Sequence, residues 1–338
     1  MPKVSIILPT YNGQAYIDEA IASILNQTFE DFELIVVDDC STDHTPSLLE
    51  SFRLQDSRIK IITNKQNLKL PASLNVGHRL AQGEYLTWTS DDNILYSNFL
   101  ERLVTVLETS SEDVVYSDFN VINDQSKHIR VYKVSPVSLL PFENGIGASF
   151  LYRKEVFQKF NYNEDLHGIE DYDFWVRAAQ VFSFRYIDEI LYNYRIHRAS
   201  LTSKIFRDTK AQRNFDRGLK IVLDNFHSMS PNTRKMLFQF QRPDNWNWSF
   251  YFKVRKKAEE ELKTWAIHQG EAYNTLVENY LSRLRFLFVN CSKPNYQSKL
   301  ILVKPEILSK RFSRYTSLKI LKRMFMNILK SRINFNCN

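Results

Sequence analysis

Glycine is scarce in this chain: 8 residues of 338, about a third of the roughly 7% share usual in globular proteins. Walker and Rossmann phosphate loops are made of glycine, because a residue without Cβ lets backbone N–H groups approach a phosphate closely. The one G-x-G, Gly145 and Gly147, is followed three positions on by Phe150, so the dinucleotide pattern fails. G-x-x-x-x-G-K-[ST] and G-x-S-x-G are both missing, which counts against P-loop NTPases and serine hydrolases. A nucleotide bound by this chain must be held by side chains and carboxylates.

Cysteine is nearly as sparse. Cys40, Cys291 and Cys337 are odd in number, far apart and without C-x-x-C spacing. That argues against a disulfide framework or a zinc knuckle and favours a reducing, cytoplasmic compartment. No 18 apolar residues run together, so no bilayer span is expected. The first apolar run, Val4 to Leu8, is too short and too soon interrupted for a signal peptide. Charge is unevenly spread. Residues 301–338 hold nine Lys and Arg against the single acid Glu306, and the first 300 residues are close to neutral.

What is present is an alternation of strand-like and helix-like segments over the first 200 residues. Val4–Leu8 and Phe32–Val37 are β-favouring runs that read as strands buried on both faces. Ile59–Thr63, Glu84–Thr89 and Val114–Val121 read as further strands. Between them Ile17, Ala20, Ile21, Ile24 and Leu25 recur at helical spacing, as do Leu48 to Phe52, Leu74 to Leu80 and Ser97 to Leu107. Repeated βα units predict an α/β fold with a doubly wound, mostly parallel, Rossmann-like sheet, whose ligands bind at the carboxyl ends of the strands. The pattern changes near residue 205. The expected division is a catalytic domain over 1–205, a C-terminal helical appendage over 206–300 and a basic amphipathic segment over 301–338.

Three acidic clusters fall where strands end or helices begin. Asp38 and Asp39 follow the second strand, Asp91 and Asp92 follow the fourth, and Glu170, Asp171 and Asp173 open a helix. A single acidic pair is a common turn or cap. Two pairs on one sheet edge crowd four carboxylates into one mouth, which is unfavourable unless a cation or a hydrogen-bond donor offsets the repulsion.

PTYNG (Pro9–Gly13), QTFEDFELIVVDDCSTD (Gln27–Asp43), the segment Ala81–Asp92 and the late Glu170-Asp171 pair, in that order, resemble glycosyltransferase family 2, especially its bacterial polysaccharide-building members. The likeness covers roughly residues 1–200. It implies a GT-A fold and an inverting, metal-dependent glycosyltransferase that moves a sugar from a nucleotide-sugar donor to a glycan or lipid-linked saccharide acceptor. Carried over by position, the resemblance makes Asp39 the acceptor of a uracil N3–H, which favours a UDP-sugar. Pro9, Thr10 and Tyr11 lie in the first strand-end loop, with Tyr11 stacking on the base. Asp92 matches the ligand of a Mn²⁺ or Mg²⁺, and Asp91 the holder of ribose or sugar hydroxyls. Asp171 matches the catalytic base, supported by Glu170. His197, in a Y-R-x-H segment, is either a further neighbour of the metal or a structural histidine. Lys69 and Arg79 either meet phosphate or lie on a solvated surface. Trp175 reads as core.

Near the C-terminus Leu318, Leu321, Phe325, Ile328 and Leu329 recur at helical spacing among basic residues. Residues 305–338 therefore read either as a helix attracted to an anionic membrane surface, on the inner face of the cytoplasmic membrane, or as a helix docked on its own domain. Nucleic acid is not an expected partner, since the body is neutral and carries no recognition motif. Two competing functions are a nucleotidyltransferase, which needs a better phosphate loop than PTYNGQAY, and a non-catalytic nucleotide-sugar-binding scaffold.

Overall fold

A computed structural model describes residues 1–270 and 273–291. These divide into two compact units: residues 1–140 with 144–225, and residues 141–143 with the described residues from 226 to 291.

The first unit opens with β1 (Val4–Thr10), α1 (Ile17–Leu25), β2 (Phe32–Asp38), α2 (Thr45–Gln55), β3 (Ile59–Thr63), α3 (Leu70–Leu80) and β4 (Tyr85–Trp88). Every residue of β1 and β2 is buried, as a continuous apolar run covered by helices on both faces requires. After these come β5 (Ile94–Leu95), α4 (Phe99–Thr109), β6 (Val114–Ile122), β7 (His128–Tyr132), β8 (Phe150–Arg153) and α5 (Lys154–Lys159). The unit closes with α6 (Glu170–Ala178), β9 (Phe184–Arg195), α7 (Leu201–Arg207) and α8 (Thr209–Asp224). The sheet order is β3-β2-β1-β4-β8-β6-β9-β5, with β7 paired to β6. Strands β3, β2, β1 and β4 are mutually parallel, and so is the long β6–β9 ladder. β8 enters antiparallel between β4 and β6, and β5 and β7 also pair antiparallel, so the sheet is mixed although most of its register is parallel.

Register explains why the acidic pairs meet. β1 and β2 run level, with Thr10 opposite Asp38, so Asp39 comes out beside the loop that follows β1. β4 leaves its pairing at Trp88 opposite Ile7, and the Thr89 amide still donates to the Ile7 carbonyl at 3.0 Å. The next residues, through Asp92, therefore run alongside the end of β1. Helix α3 can lie close above this sheet only because of Gly77, where a Cβ would stand 2.6 Å from the Ile7 Cγ2. Trp175 is fully buried, 4.9 Å ring to ring from Phe150.

The division after Asn225 differs from the sequence expectation of a boundary at 205. Helix α8 stays with the first unit because Gly218 packs on Ile169, where a Cβ would approach Ile169 Cγ2 to 2.7 Å. The Asn225 amide also donates to Asp173 Oδ1 at 2.7 Å. The second unit is helical, with α9 (Pro231–Gln241), α10 (Trp248–His268) and α11 (Tyr273–Cys291). It includes residues 141–143, because Phe142 packs on Phe240 and Tyr280 and Glu143 pairs with Arg283 at 2.5 Å. The expected basic amphipathic segment, 301–338, lies outside the described residues. Among the described residues no helix is long and apolar enough to cross a membrane.

Candidate active site

The carboxyl ends of β1, β2 and β4 open onto a cavity of about 670 Å³ whose wall includes Pro9, Thr10, Tyr11, Asp39, Lys69, Asp91, Asp92 and His197. Of the sequence-predicted donor-side residues, all but Arg79 reach this one cleft. Tyr11 is half exposed at its rim, so its ring is not used for packing. Arg79 is not in this wall. It sits at the far end of α3, which is eleven residues long and so spans roughly 16 Å, and its guanidinium lies 3.8 Å from Glu164.

Asp39 is nearly buried and its carboxylate is well supplied with donors. Oδ1 accepts from the Leu68 amide at 2.7 Å and Asn64 Nδ2 at 2.9 Å, and Oδ2 accepts from the Lys69 amide at 2.8 Å. Lys69 needs this support, because it holds the left-handed φ of 74° that turns the chain into α3. Asp39 thus fixes the 64–69 loop, and each carboxylate oxygen has two lone-pair sites, so Oδ2 keeps one acceptor position.

Asp91 is held differently. The Thr10 hydroxyl donates to its Oδ2 at 2.5 Å. Burial, and then the neighbouring Asp92 charge, push its carboxyl up to about 7. The closeness of the two strand-end loops depends on Gly13, where a Cβ would stand 2.3 Å from Asp91 Oδ2. That contact gives the glycine of PTYNG a steric reason.

Asp92 Oδ2 lies 2.9 Å from His197 Nε2, and the His197 ring packs against Tyr16 with centroids 5.0 Å apart. Two donors of a divalent octahedral ion with bonds of 2.0–2.1 Å stand about 3 Å apart when adjacent. The Asp92–His197 pair therefore fits a shared Mn²⁺ or Mg²⁺ in spacing and chemistry. Among the described residues no group of three His, Cys, Asp or Glu could hold a metal alone. Such an ion would complete its shell with diphosphate oxygens and water, as hard cations at phosphate sites do.

A second cavity, of about 350 Å³, shares Asp92, Ser90 and Leu70 with the first and adds Asn144, Glu170, Asp171 and Tyr194. The three acids that open α6 part company here. Asp173 is structural, accepting from Arg177 Nε at 2.8 Å and from Asn225. Glu170 and Asp171 line the cavity. Glu170 Oε2 accepts from the Gly168 amide at 2.6 Å, and Asp171 accepts from the Tyr172 amide at 2.7 Å and from Asn144 Nδ2 at 2.8 Å. Desolvation raises the carboxyl pKa of both, and for Glu170 the Asp171 charge adds to it. The helix N-terminus alone does not hold Asp171 at an ordinary acidity: its hydrogen bonds lower the pKa, and burial outweighs them.

Three participants escaped the sequence reading. Asn144 touches Asp171, yet as part of N-G it signals only a turn. Tyr16 looks like an ordinary helix-flanking aromatic. Arg195 donates through Nε to the Asp92 carbonyl at 2.7 Å; its signal was its place two residues before His197. Gly145 packs on Ser135, whose Cβ would lie 2.7 Å from an added Cβ.

Comparison with known proteins bears on the family and the fold. Residues 5–186 match the sequence model of the family described as Glycosyl transferase family 2. An uncharacterized glycosyltransferase of Haemophilus influenzae is 35% identical over 223 residues, which is 61% of this chain and 68% of that protein. The GalNAc(5)-diNAcBac-PP-undecaprenol beta-1,3-glucosyltransferase of Campylobacter jejuni is 32% identical over 209 residues, 59% of this chain and 66% of its own. Among solved structures, S. aureus TarS 1–349 in complex with UDP-GlcNAc superimposes with a TM-score of 0.59 at 16% identity, covering 98% of this chain and 92% of that one. The mannosyltransferase PcManGT from Pyrobaculum calidifontis, in complex with GDP-Man and Mn²⁺, gives a TM-score of 0.52 at 17% identity, over 92% and 88%. Likeness at these identities shows the fold, which is that of the GT-A glycosyltransferases.

Proposed function

The chain belongs to glycosyltransferase family 2, and on that premise we propose that it transfers a sugar from a UDP-sugar to an acceptor hydroxyl with inversion at the anomeric carbon. The observation that carries this reading is the sharing of Asp92 by two adjoining cavities, one with Asp39 and the other with Asp171.

On the donor side, the free acceptor position of Asp39 suits a uracil N3–H, with Tyr11 stacking on the base. Pro9 and Thr10 shape the loop beneath it. Asp91, with its carboxyl pushed up to about 7, can both donate and accept towards ribose or sugar hydroxyls, and Lys69 offers its charge to phosphate. Asp92 and His197 hold the Mn²⁺ or Mg²⁺, which when bound neutralises charge on the departing diphosphate, worth several kcal/mol of barrier. In the second cavity Asp171 accepts the proton of the acceptor hydroxyl as its oxygen bonds to the anomeric carbon. The bond from that carbon to the diphosphate oxygen breaks with its electron pair, so the configuration inverts. A positioned base contributes roughly 10²–10⁴-fold, and burial, by raising its pKa, makes it a stronger base. Glu170 supports the base through its buried place beside it.

The acceptor class is a glycan or lipid-linked saccharide in bacterial surface polysaccharide synthesis. Support comes from the undecaprenol-linked substrate in the name of the Campylobacter relative. The basic residues of the C-terminal segment suit the anionic face of the cytoplasmic membrane, at about 1 kcal/mol each. Removing residues 305–338 is expected to release the protein from anionic liposomes; retained binding refutes the attachment. The donor assignment is tested by titrating UDP, GDP and dTDP with and without Mn²⁺. UDP is expected to bind most tightly, in a Mn²⁺-dependent manner that Asp92→Ala abolishes. Equal metal dependence in the variant overturns the ligand assignment.

A further inference from the structure

Arg195, at the end of β9, has a side chain with no exposure at all. Buried guanidinium groups persist only when their donors and charge are satisfied. Here Nη2 donates to Glu19 Oε2 at 2.6 Å, Nη1 to Ser126 Oγ at 2.9 Å and to the Asn123 carbonyl at 3.2 Å, and Nε to the Asp92 carbonyl at 2.7 Å. Its own amide donates to Asn93 Oδ1 at 2.8 Å. The guanidinium also lies 4.6 Å from the centre of the Tyr16 ring, and that same ring packs against His197. The charge of Glu19 is enough to neutralise Arg195. The contacts to Asp92 and Asn93 add nothing to that neutralisation, and they converge on the loop that presents the carboxylate.

We propose that Arg195 is a positioning residue for the divalent cation. It pins the main chain of Asp92 against β9, so that the Asp92 carboxylate and the His197 imidazole, two residues further along, meet at one point. The inference rests on the assignment of those two side chains as the cation's ligands. A fork of five N–H groups is needed to hold Asp92, Glu19 and the 123–126 turn together, and a lysine ammonium cannot span them.

The test is a Mn²⁺ titration of the full chain, following the paramagnetic resonance of free Mn²⁺, with and without UDP. Arg195→Lys is expected to weaken Mn²⁺ binding at least tenfold, the scale of lost outer-shell support, while metal-free UDP binding is unchanged and excess Mn²⁺ restores full UDP affinity. A merely structural role would lower metal-free UDP binding as well and resist rescue by Mn²⁺, and that result overturns the proposal. If Arg195→Lys does not fold, Glu19→Gln keeps the Asp92 contact and removes the charged anchor; it is expected to weaken Mn²⁺ binding a few-fold. A folded form of either variant with wild-type Mn²⁺ affinity overturns the proposal. Wild type and Asp92→Ala binding Mn²⁺ equally would instead remove its premise, the ligand assignment.

Discussion

The two cavities are lined by the same kind of side chain, yet Asp39 in the larger one is surrounded unlike Asp171 in the smaller one, while Asp91 in the larger one is raised by burial as the acids of the smaller one are. In the larger one Asp39 accepts three hydrogen bonds and Asp92 lies against an imidazole. In the smaller one Glu170 and Asp171 are met by neutral N–H donors while burial raises both carboxyl pKa values. Asp39 is fixed in place by three donors and keeps one acceptor position for a base. Donor-poor burial makes a carboxylate ready to take up a proton. A holding role and a proton-accepting role thus come from one residue type through the balance of hydrogen-bond partners and burial.

The sharpest way to break this contrast is Asp171→Asn, which keeps shape and removes the base. Transfer is expected to fall by roughly 10²–10⁴-fold while UDP affinity in calorimetry stays within about twofold of wild type. Substantial residual transfer would place the base elsewhere.

A second test uses a buried group far from the cation, as a gauge of what burial alone does. His78 donates from Nδ1 to the Leu74 carbonyl at 2.7 Å and accepts at Nε2 from the Tyr152 hydroxyl at 2.6 Å, so it is neutral with both nitrogens used. Desolvation lowers its pKa from 6.5 to about 4. Between those values the unfolded chain takes up a proton that the folded chain does not. Stability should therefore be full above pH 6.5 and decline as pH falls, by about 2 kcal/mol at pH 5 from this residue. Denaturant midpoints at pH 7 and pH 5, with His78→Gln as reference, check it; equal slopes in the two proteins would contradict the assignment.

The gentlest perturbation is Asn144→Ala. It removes one neutral donor from Asp171, worth about 1 kcal/mol. The carboxyl pKa then rises further, so the acidic limb of the rate profile should move to higher pH. A limb that stays in place would mean that Asn144 does not tune the base.

Much of this arrangement was legible in one dimension. Continuous apolar runs marked β1, β2 and β3, and Asp-Asp at two strand ends marked the donor cleft, because parallel strands deliver their carboxyl ends to one edge. The antiparallel insertion of β8 was not legible, since its four residues carry no mark of direction. Nor was the separation of Asp173 from Asp171. Residues two apart on a helix point about 200° apart, to nearly opposite sides, and only packing against Arg177 and Asn225 determined which side each acid took.

By itself the sequence determined the α/β class, the family and the identity of the acids, because these follow from periodicity, from turn chemistry and from motif order. The tertiary structure alone decided the partners of each acid: three donors for Asp39, an imidazole for Asp92, an amide and burial for Asp171. Those partners come from segments as distant as His197 and Asp92, 105 positions apart. Local composition carries no information about contacts closed over such a span, and it is the contacts that set whether a carboxylate grips or accepts a proton.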